Sequence, residues 1–194
     1  MQRGVLAVAL AAAVTGPGAN AQTGSEGNDG ARNSGALVEW PVYGGSLAAQ
    51  HYSPLDQINA ENVGKLQIVW RWSGANFGPR PEQRSETTPL MIDGVLYATA
   101  GVTRNIVAID AASGETLWVW RPNEGERFEN APRKISGRGV AYWTDGADDE
   151  RIFTVTPGFF LVALDANTGL PKREFGEAGV VDMFQWLRGP VDNI

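Results

Sequence analysis

Residues 65–72 read KLQIVWRW, in which apolar Leu66, Ile68, Trp70 and Trp72 alternate with Lys65, Gln67, Val69 and Arg71. A period of two places one set of side chains on one face, so the segment is predicted to be a strand with a face in a core. Pro89, Leu90, Met91 and Ile92 are followed by Asp93-Gly94 and then Val95, Leu96 and Tyr97. An Asp-Gly pair between two apolar runs predicts a tight hairpin. Residues 106–110 (IVAID) and 116–120 (TLWVW) predict two further strands. Between them Ala111-Ala112-Ser113-Gly114 supplies a glycine where a turn calls for positive φ.

The same order then recurs. Residues 152–155 (IFTV) correspond to 95–98 (VLYA), and 162–169 (VALDANTG) correspond to 107–114 (VAIDAASG). Asp165 follows Asp110 by 55 residues, room for four strands plus an interposed loop at 122–135. Repetition on roughly this scale with four strands per unit is a mark of β-propellers, whose blades become stable by stacking on one another. The reading is all-β, with about two to three N-terminal blades in residues 37–194. Propellers need four or more blades to close, so the chain is read as truncated at its C-terminal side.

Composition agrees with many short strands: 24 Gly, 11 Pro and 7 Trp in 194 residues, 43% of them hydrophobic. A net charge of −6 argues against a nucleic-acid partner, which calls for a basic face. There is no cysteine, hence no disulfide and no thiolate metal site. The N-terminus carries Arg3, an apolar run at 5–14 (VLAVALAAAV), the breakers Pro17 and Gly18, and Ala19-Asn20-Ala21. This is the layout of a cleaved signal peptide over residues 1–21, and it predicts export to the periplasm. Residues 22–36 (QTGSEGNDGARNSGA) hold almost nothing to bury and are read as a flexible linker.

Ala108-x-Asp110-x-x-Ser113-Gly114-x-x-x-Trp118 resembles the repeat of the pyrroloquinoline quinone (PQQ)-dependent quinoprotein dehydrogenases. In that family the Trp of one blade packs on the turn of the next, forming a girdle. The second copy keeps Ala163, Asp165, Thr168 and Gly169 but has Arg173 where Trp is expected, so the girdle is expected to be incomplete there. Residues 40–63 (WPVYGGSLAAQHYSPLDQINAENV) resemble the family's N-terminal segment, and 137–143 (GRGVAYW) resemble its R-G-x-A-Y-W strand.

The resemblance implies an eight-bladed propeller with PQQ in its central funnel and calcium or another metal ion bridging cofactor and protein. A carboxylate there takes the substrate hydroxyl proton while hydride passes to the quinone, and the protein mainly binds and orients the cofactor. Two cofactor-binding positions carry over. Glu86, in Glu86-Thr87-Thr88-Pro89-Leu90, matches a Glu that contacts PQQ, and Arg138 matches an Arg that meets it near the quinone oxygens. A guanidinium suits a cofactor with three carboxylates and an ortho-quinone, since it can donate a forked pair of hydrogen bonds. A Glu beside a polyanion is less obvious: it must accept from a cofactor N–H or be protonated. The calcium ligands, the catalytic Asp and the Trp under PQQ are implied to lie beyond Ile194, so the chain by itself is expected to be inactive.

Many alcohol-oxidising members carry two adjacent cysteines before the R-G motif. Here that stretch, 130–136, reads NAPRKIS, which points toward the sugar, polyol and quinate branch. The acidic run 145–150 (DGADDE) lacks EF-hand spacing and reads as a solvated hairpin tip. His51, the single histidine, reads as structural.

The leading reading is thus part of a periplasmic PQQ-dependent dehydrogenase acting on an alcohol, polyol or sugar hydroxyl. Its partners would be that small substrate, a cytochrome c or quinone electron acceptor, and the remaining blades. The competing reading is a non-enzymatic PQQ-repeat scaffold that binds proteins in outer-membrane assembly. Glu86 and Arg138 favour the enzyme, because a scaffold has no use for cofactor-facing residues.

Overall fold

The computed structural model describes residues 38–186. The signal-peptide and linker readings therefore lie outside the described residues. The folded part holds two four-stranded antiparallel meanders. The first comprises β1 (Leu90–Ile92), β2 (Val95–Ala100), β3 (Asn105–Asp110) and β4 (Thr116–Trp120). A short helix, α1 (Glu126–Asn130), interrupts the long connection. The second sheet comprises β5 (Ala141–Thr144), β6 (Glu150–Val155), β7 (Phe160–Asp165) and β8 (Val180–Asp182).

The predicted hairpin is present in register, with Ile92 opposite Val95. Asp93 and Gly94 both take positive φ (47° and 77°), the turn that matches the twist of paired strands. The two sheets are consecutive blades of one propeller-type stack. One face of the first blade (Leu90, Ile92, Tyr97, Ile106, Ala108) packs against Ile152, Val162, Leu164 and Ala166 of the second. Its other face (Leu96, Ala98, Ala100, Val107, Ile109) is covered by Trp72, with Trp70 and Phe77 alongside. Strand alternation thus divides the first blade's apolar residues between two cores.

Two tryptophans join successive units in the same way. Trp118 Nε1 donates to Ala166 O at 2.9 Å, and Trp70 Nε1 donates to Ala111 O at 3.1 Å. Each ring lies over the glycine of the turn it meets. A Cβ on Gly169 would stand 2.5 Å from the Trp118 ring, and one on Gly114 2.6 Å from the Trp70 ring. Both glycines also have positive φ, 69° and 76°. The turns are shaped by their Asp residues. Asp110 accepts from the Ser113 N–H and hydroxyl, both at 2.7 Å, and Asp165 accepts from the same two groups of Thr168 at 2.9 Å.

One expectation is corrected. Residues 65–72 do not form a strand: Val63–Lys65 is a 3-10 turn, and Leu66, Ile68 and Val69 are exposed. A strand is stabilised by a neighbouring edge, and no described strand runs beside 66–69. Only Trp70 and Trp72 meet the first blade, Trp72 also donating to Thr116 Oγ1 at 2.8 Å. The outer strand of the second blade does not follow its turn directly, unlike that of the first. After the bridge of Leu164 to Pro171 the chain leaves the sheet and returns as β8. Arg173, at the expected Trp position, is exposed on that excursion.

Candidate functional site

In a meander each strand reverses the last, so one end of both blades collects fixed segments. These are the starts of β1 and β5, the hairpins leading into β3 and β7, and the long connection after β4. Both predicted cofactor residues lie at this end. Residues leading into β1 and β5 run side by side: Thr88 and Gly139 form a parallel bridge, and Thr88 N–H donates to Arg138 O at 3.4 Å. Gly139 permits the approach. Its φ is 117°, and a Cβ there would lie 2.9 Å from Thr88 O.

Glu86 stands two residues before Thr88 and carries two cations. Arg84 Nη2 lies 2.7 Å from its Oε1, and Arg133 Nη2 lies 2.6 Å from its Oε2. Arg84 and Arg133 are well exposed, with side chains 76% and 55% accessible against 20% for Glu86. Arg138 is exposed, and among the described residues no side chain pairs with its guanidinium. Two guanidiniums therefore flank one carboxylate, and a third, unpaired, lies on the neighbouring segment, in a chain that is acidic overall. The structure brings Glu86 and Arg138 onto paired backbone segments and adds Arg84 and Arg133 beside them.

Two more side chains hold this end together, and neither stood out in the sequence. Arg104, in the β2–β3 hairpin, donates from Nε to Ile135 O (3.0 Å), from Nη1 to Val155 O (2.9 Å) and from Nη2 to Arg133 O (3.3 Å). Burial pushes its pKa below the ordinary guanidinium value, partly countered by Glu124. Glu82 accepts from Gly101 N–H and from Ser136 N–H, both at 3.1 Å. Carbonyl and amide partners leave no mark in residue identity, so pattern reading misses such contacts. The closest signal is the Gly101-x-x-Arg104 turn itself.

The connection after β4 is pinned to the second blade by Arg127. Its guanidinium donates to Asp182 (2.7 and 3.1 Å) and lies over the rings of Phe160 and Phe184 at 4.0 and 4.1 Å. Glu124 accepts from Gly158 N–H at 2.9 Å and from the Thr156 hydroxyl.

The donor set fits a polyanionic cofactor. An unpaired guanidinium and two exposed ones offer forked donors to carboxylate or quinone oxygens, and Glu86 holds two of them in place. Glu86 therefore acts here as an acceptor for arginines. Among the described residues no group of three or more His, Asp or Glu is placed to hold a metal ion. His51 is exposed and packs edge-on to Tyr43 at 5.4 Å. The acidic run forms the β5–β6 tip, where Asp145 accepts from Ala147 and Asp149 N–H. No described helix is long and apolar enough to cross a membrane.

A family profile described as "PQQ: Glucose/ethanol/alcohol dehydrogenase, beta-propeller domain" matches residues 40–192. The chain is 40% identical over 139 residues to an alcohol dehydrogenase (quinone), dehydrogenase subunit, of Gluconobacter oxydans, covering 71% of this chain and 17% of that protein. It is 32% identical over 164 residues to a glycerol dehydrogenase large subunit of the same organism, covering 79% and 22%. It is 35% identical over 174 residues to a 1-butanol dehydrogenase (quinone) of Thauera butanivorans, covering 89% and 26%. The crystal structure of a quinohemoprotein alcohol dehydrogenase from Comamonas testosteroni superposes with a TM-score of 0.61 at 30% identity, covering 78% of this chain and 20% of that one. The chain thus spans about a fifth of the length of the proteins it resembles. Alcohol, butanol and glycerol dehydrogenases all stand among these relatives, so the missing cysteine pair does not by itself assign a substrate branch.

Proposed function

Because the chain belongs to the glucose/ethanol/alcohol dehydrogenase PQQ β-propeller family, we propose that it supplies the first two blades of a periplasmic quinoprotein that oxidises an alcohol, polyol or sugar hydroxyl. The observation that supports this most is the end of the blades where Glu86 and Arg138 lie on paired segments, with Arg133 and Arg84 on Glu86.

The bound quinone would supply the two-electron acceptor, and calcium would be held by residues beyond this chain. The residues present here bind and orient. Arg138 offers two parallel N–H groups to an anionic oxygen, a geometry that a point cation cannot match. Arg84 and Arg133 raise the local positive potential, and Glu86 holds their forks apart. Electrons would then pass to a cytochrome c or quinone acceptor.

The test is PQQ titration of the complete apoprotein with calcium present, followed by dye-linked oxidation of a panel of primary alcohols, polyols and sugars. Saturable PQQ binding with turnover on one substrate class is expected. A complete, folded protein that binds no PQQ would sink the enzyme reading in favour of the protein-binding scaffold.

A further inference from the structure

The Arg133–Arg138 segment carries both cations that the site needs from the second blade, yet the chain has no cysteine with which to staple it. We propose that Arg104 is a positioning residue for this segment: with Glu82 it clamps residues 133–136 against the first blade and so aims Arg138 at the cofactor. The inference rests on the PQQ reading above.

The clamp begins from a rigid base. The β2–β3 hairpin turns at Gly101, whose φ is 71° and where a Cβ would lie 1.9 Å from Phe77 O. Asn105, buried, ties the hairpin by donating to Ala100 O at 3.0 Å and Thr103 Oγ1 at 2.9 Å. Arg104 itself has a φ of 54°, a conformation that side chains of its size rarely adopt and that persists only where surroundings enforce it.

From that base the guanidinium takes three carbonyls on two elements: Arg133 and Ile135 of the segment, and Val155 at the end of β6. A planar fork can bridge such divergent acceptors, whereas an ammonium on a flexible stem cannot hold all three. Gly137 leaves room for it, since a Cβ there would stand 2.9 Å from Arg104 Nε. Glu82 grips the same segment from the other end of the hairpin, joining Gly101 N–H to Ser136 N–H. Ser136 is fully buried. Arg138 follows two residues later, and its side chain has no described partner. Its placement therefore comes from backbone held on both sides, by this clamp and by Thr88 N–H on Arg138 O.

The experiment is a double-mutant cycle in the complete apoprotein, with PQQ as the probe and calcium present, read by fluorescence quenching. Arg104→Met should weaken PQQ binding by about ten- to a hundredfold, and Arg104→Lys by less. In an Arg138→Ala background, Arg104→Met should change PQQ affinity by under about threefold, because the two residues act through one contact. The fall in thermal midpoint caused by Arg104→Met should be the same in both backgrounds. Hydrogen exchange across residues 133–137 should quicken in Arg104→Met without PQQ. If Arg104→Met does not fold, Arg104→Lys carries the cycle. A wild type that binds PQQ while Arg104 variants bind equally well, or lose the same factor with and without Arg138, overturns this inference alone. A wild type that binds no PQQ overturns the proposed function and this inference with it.

Discussion

Gly169→Ala should be markedly worse than Gly94→Ala, although both glycines sit in turns at similar φ, 69° and 77°. At Gly94 an added Cβ meets nothing within 4 Å, so only the left-handed backbone is penalised, about 1–2 kcal/mol. At Gly169 the same Cβ would lie 2.5 Å from Trp118 Cε3 and 2.6 Å from Cδ2. Methyl and ring cannot coexist there, so the indole must shift. That disturbs the packing of a half-buried Trp on Tyr97, 5.9 Å away between ring centroids, and stretches the 2.9 Å bond to Ala166 O. Overpacking costs about 1–3 kcal/mol and the bond about 1 kcal/mol. Gly169→Ala is therefore expected to destabilise by about 3–6 kcal/mol against about 1–2 kcal/mol for Gly94→Ala. In a Trp118→Ala background the clash has no partner, and Gly169→Ala should fall back to the Gly94 value, a coupling of about 2–4 kcal/mol. The assay is urea unfolding of the complete protein followed by far-UV circular dichroism, because removing Trp118 alters fluorescence. Equal penalties at the two glycines, or an undiminished penalty at Gly169 without Trp118, would refute the docking argument.

The remaining predictions concern the site, acid stability and processing. Arg138→Ala should weaken PQQ binding by about one to two decades, the loss of a charge-assisted bond of roughly 1.5–3 kcal/mol. Arg173→Ala, on an exposed excursion, should leave affinity unchanged and shift stability by less than about 0.5 kcal/mol, and equal titrations for the two variants would remove Arg138 from the site. Arg151, then Lys172, hold the Asp149 carboxyl down to about 2. A depressed carboxylate contributes stability above its unfolded value near 3.8, lost as pH falls toward 2. Asp149→Asn should therefore flatten the loss of thermal midpoint between about pH 4 and pH 2, and an unchanged acid slope would count against that network. Mass spectrometry of the periplasmic product should show a chain beginning at Gln22, and a product that retains residues 1–21 would contradict the export reading.

Local chemistry wrote much of the blade into the sequence. Asp93-Gly94 specified its hairpin because two successive positive φ values admit few other residues. The repeated Asp-x-x-Ser/Thr-Gly turns were legible because the same carboxylate closes on the same hydroxyl and amide in both copies. The resemblance to the PQQ repeat also pointed to one docking Trp, Trp118, and to the turn of the next blade beneath it. Glu86 and Arg138 could be singled out only because they sit in segments that resemble a known family; neither residue type announces a cofactor by itself.

Tertiary structure decided what depends on partners distant in sequence. KLQIVWRW has the alternation of a strand, yet alternation requires an edge to pair with, and only Trp70 and Trp72 reach a surface that accepts them. The β8 strand is displaced because the chain detours after Pro171, a path no period in the sequence encodes. That Glu86 carries Arg84 and Arg133 was likewise set only by folding, since no spacing in the sequence joins residue 86 to residue 133. Arg104 and Glu82 bind backbone carbonyls and amides, groups every residue possesses. Their role is therefore invisible until folding brings residues 101–104 beside residues 133–136.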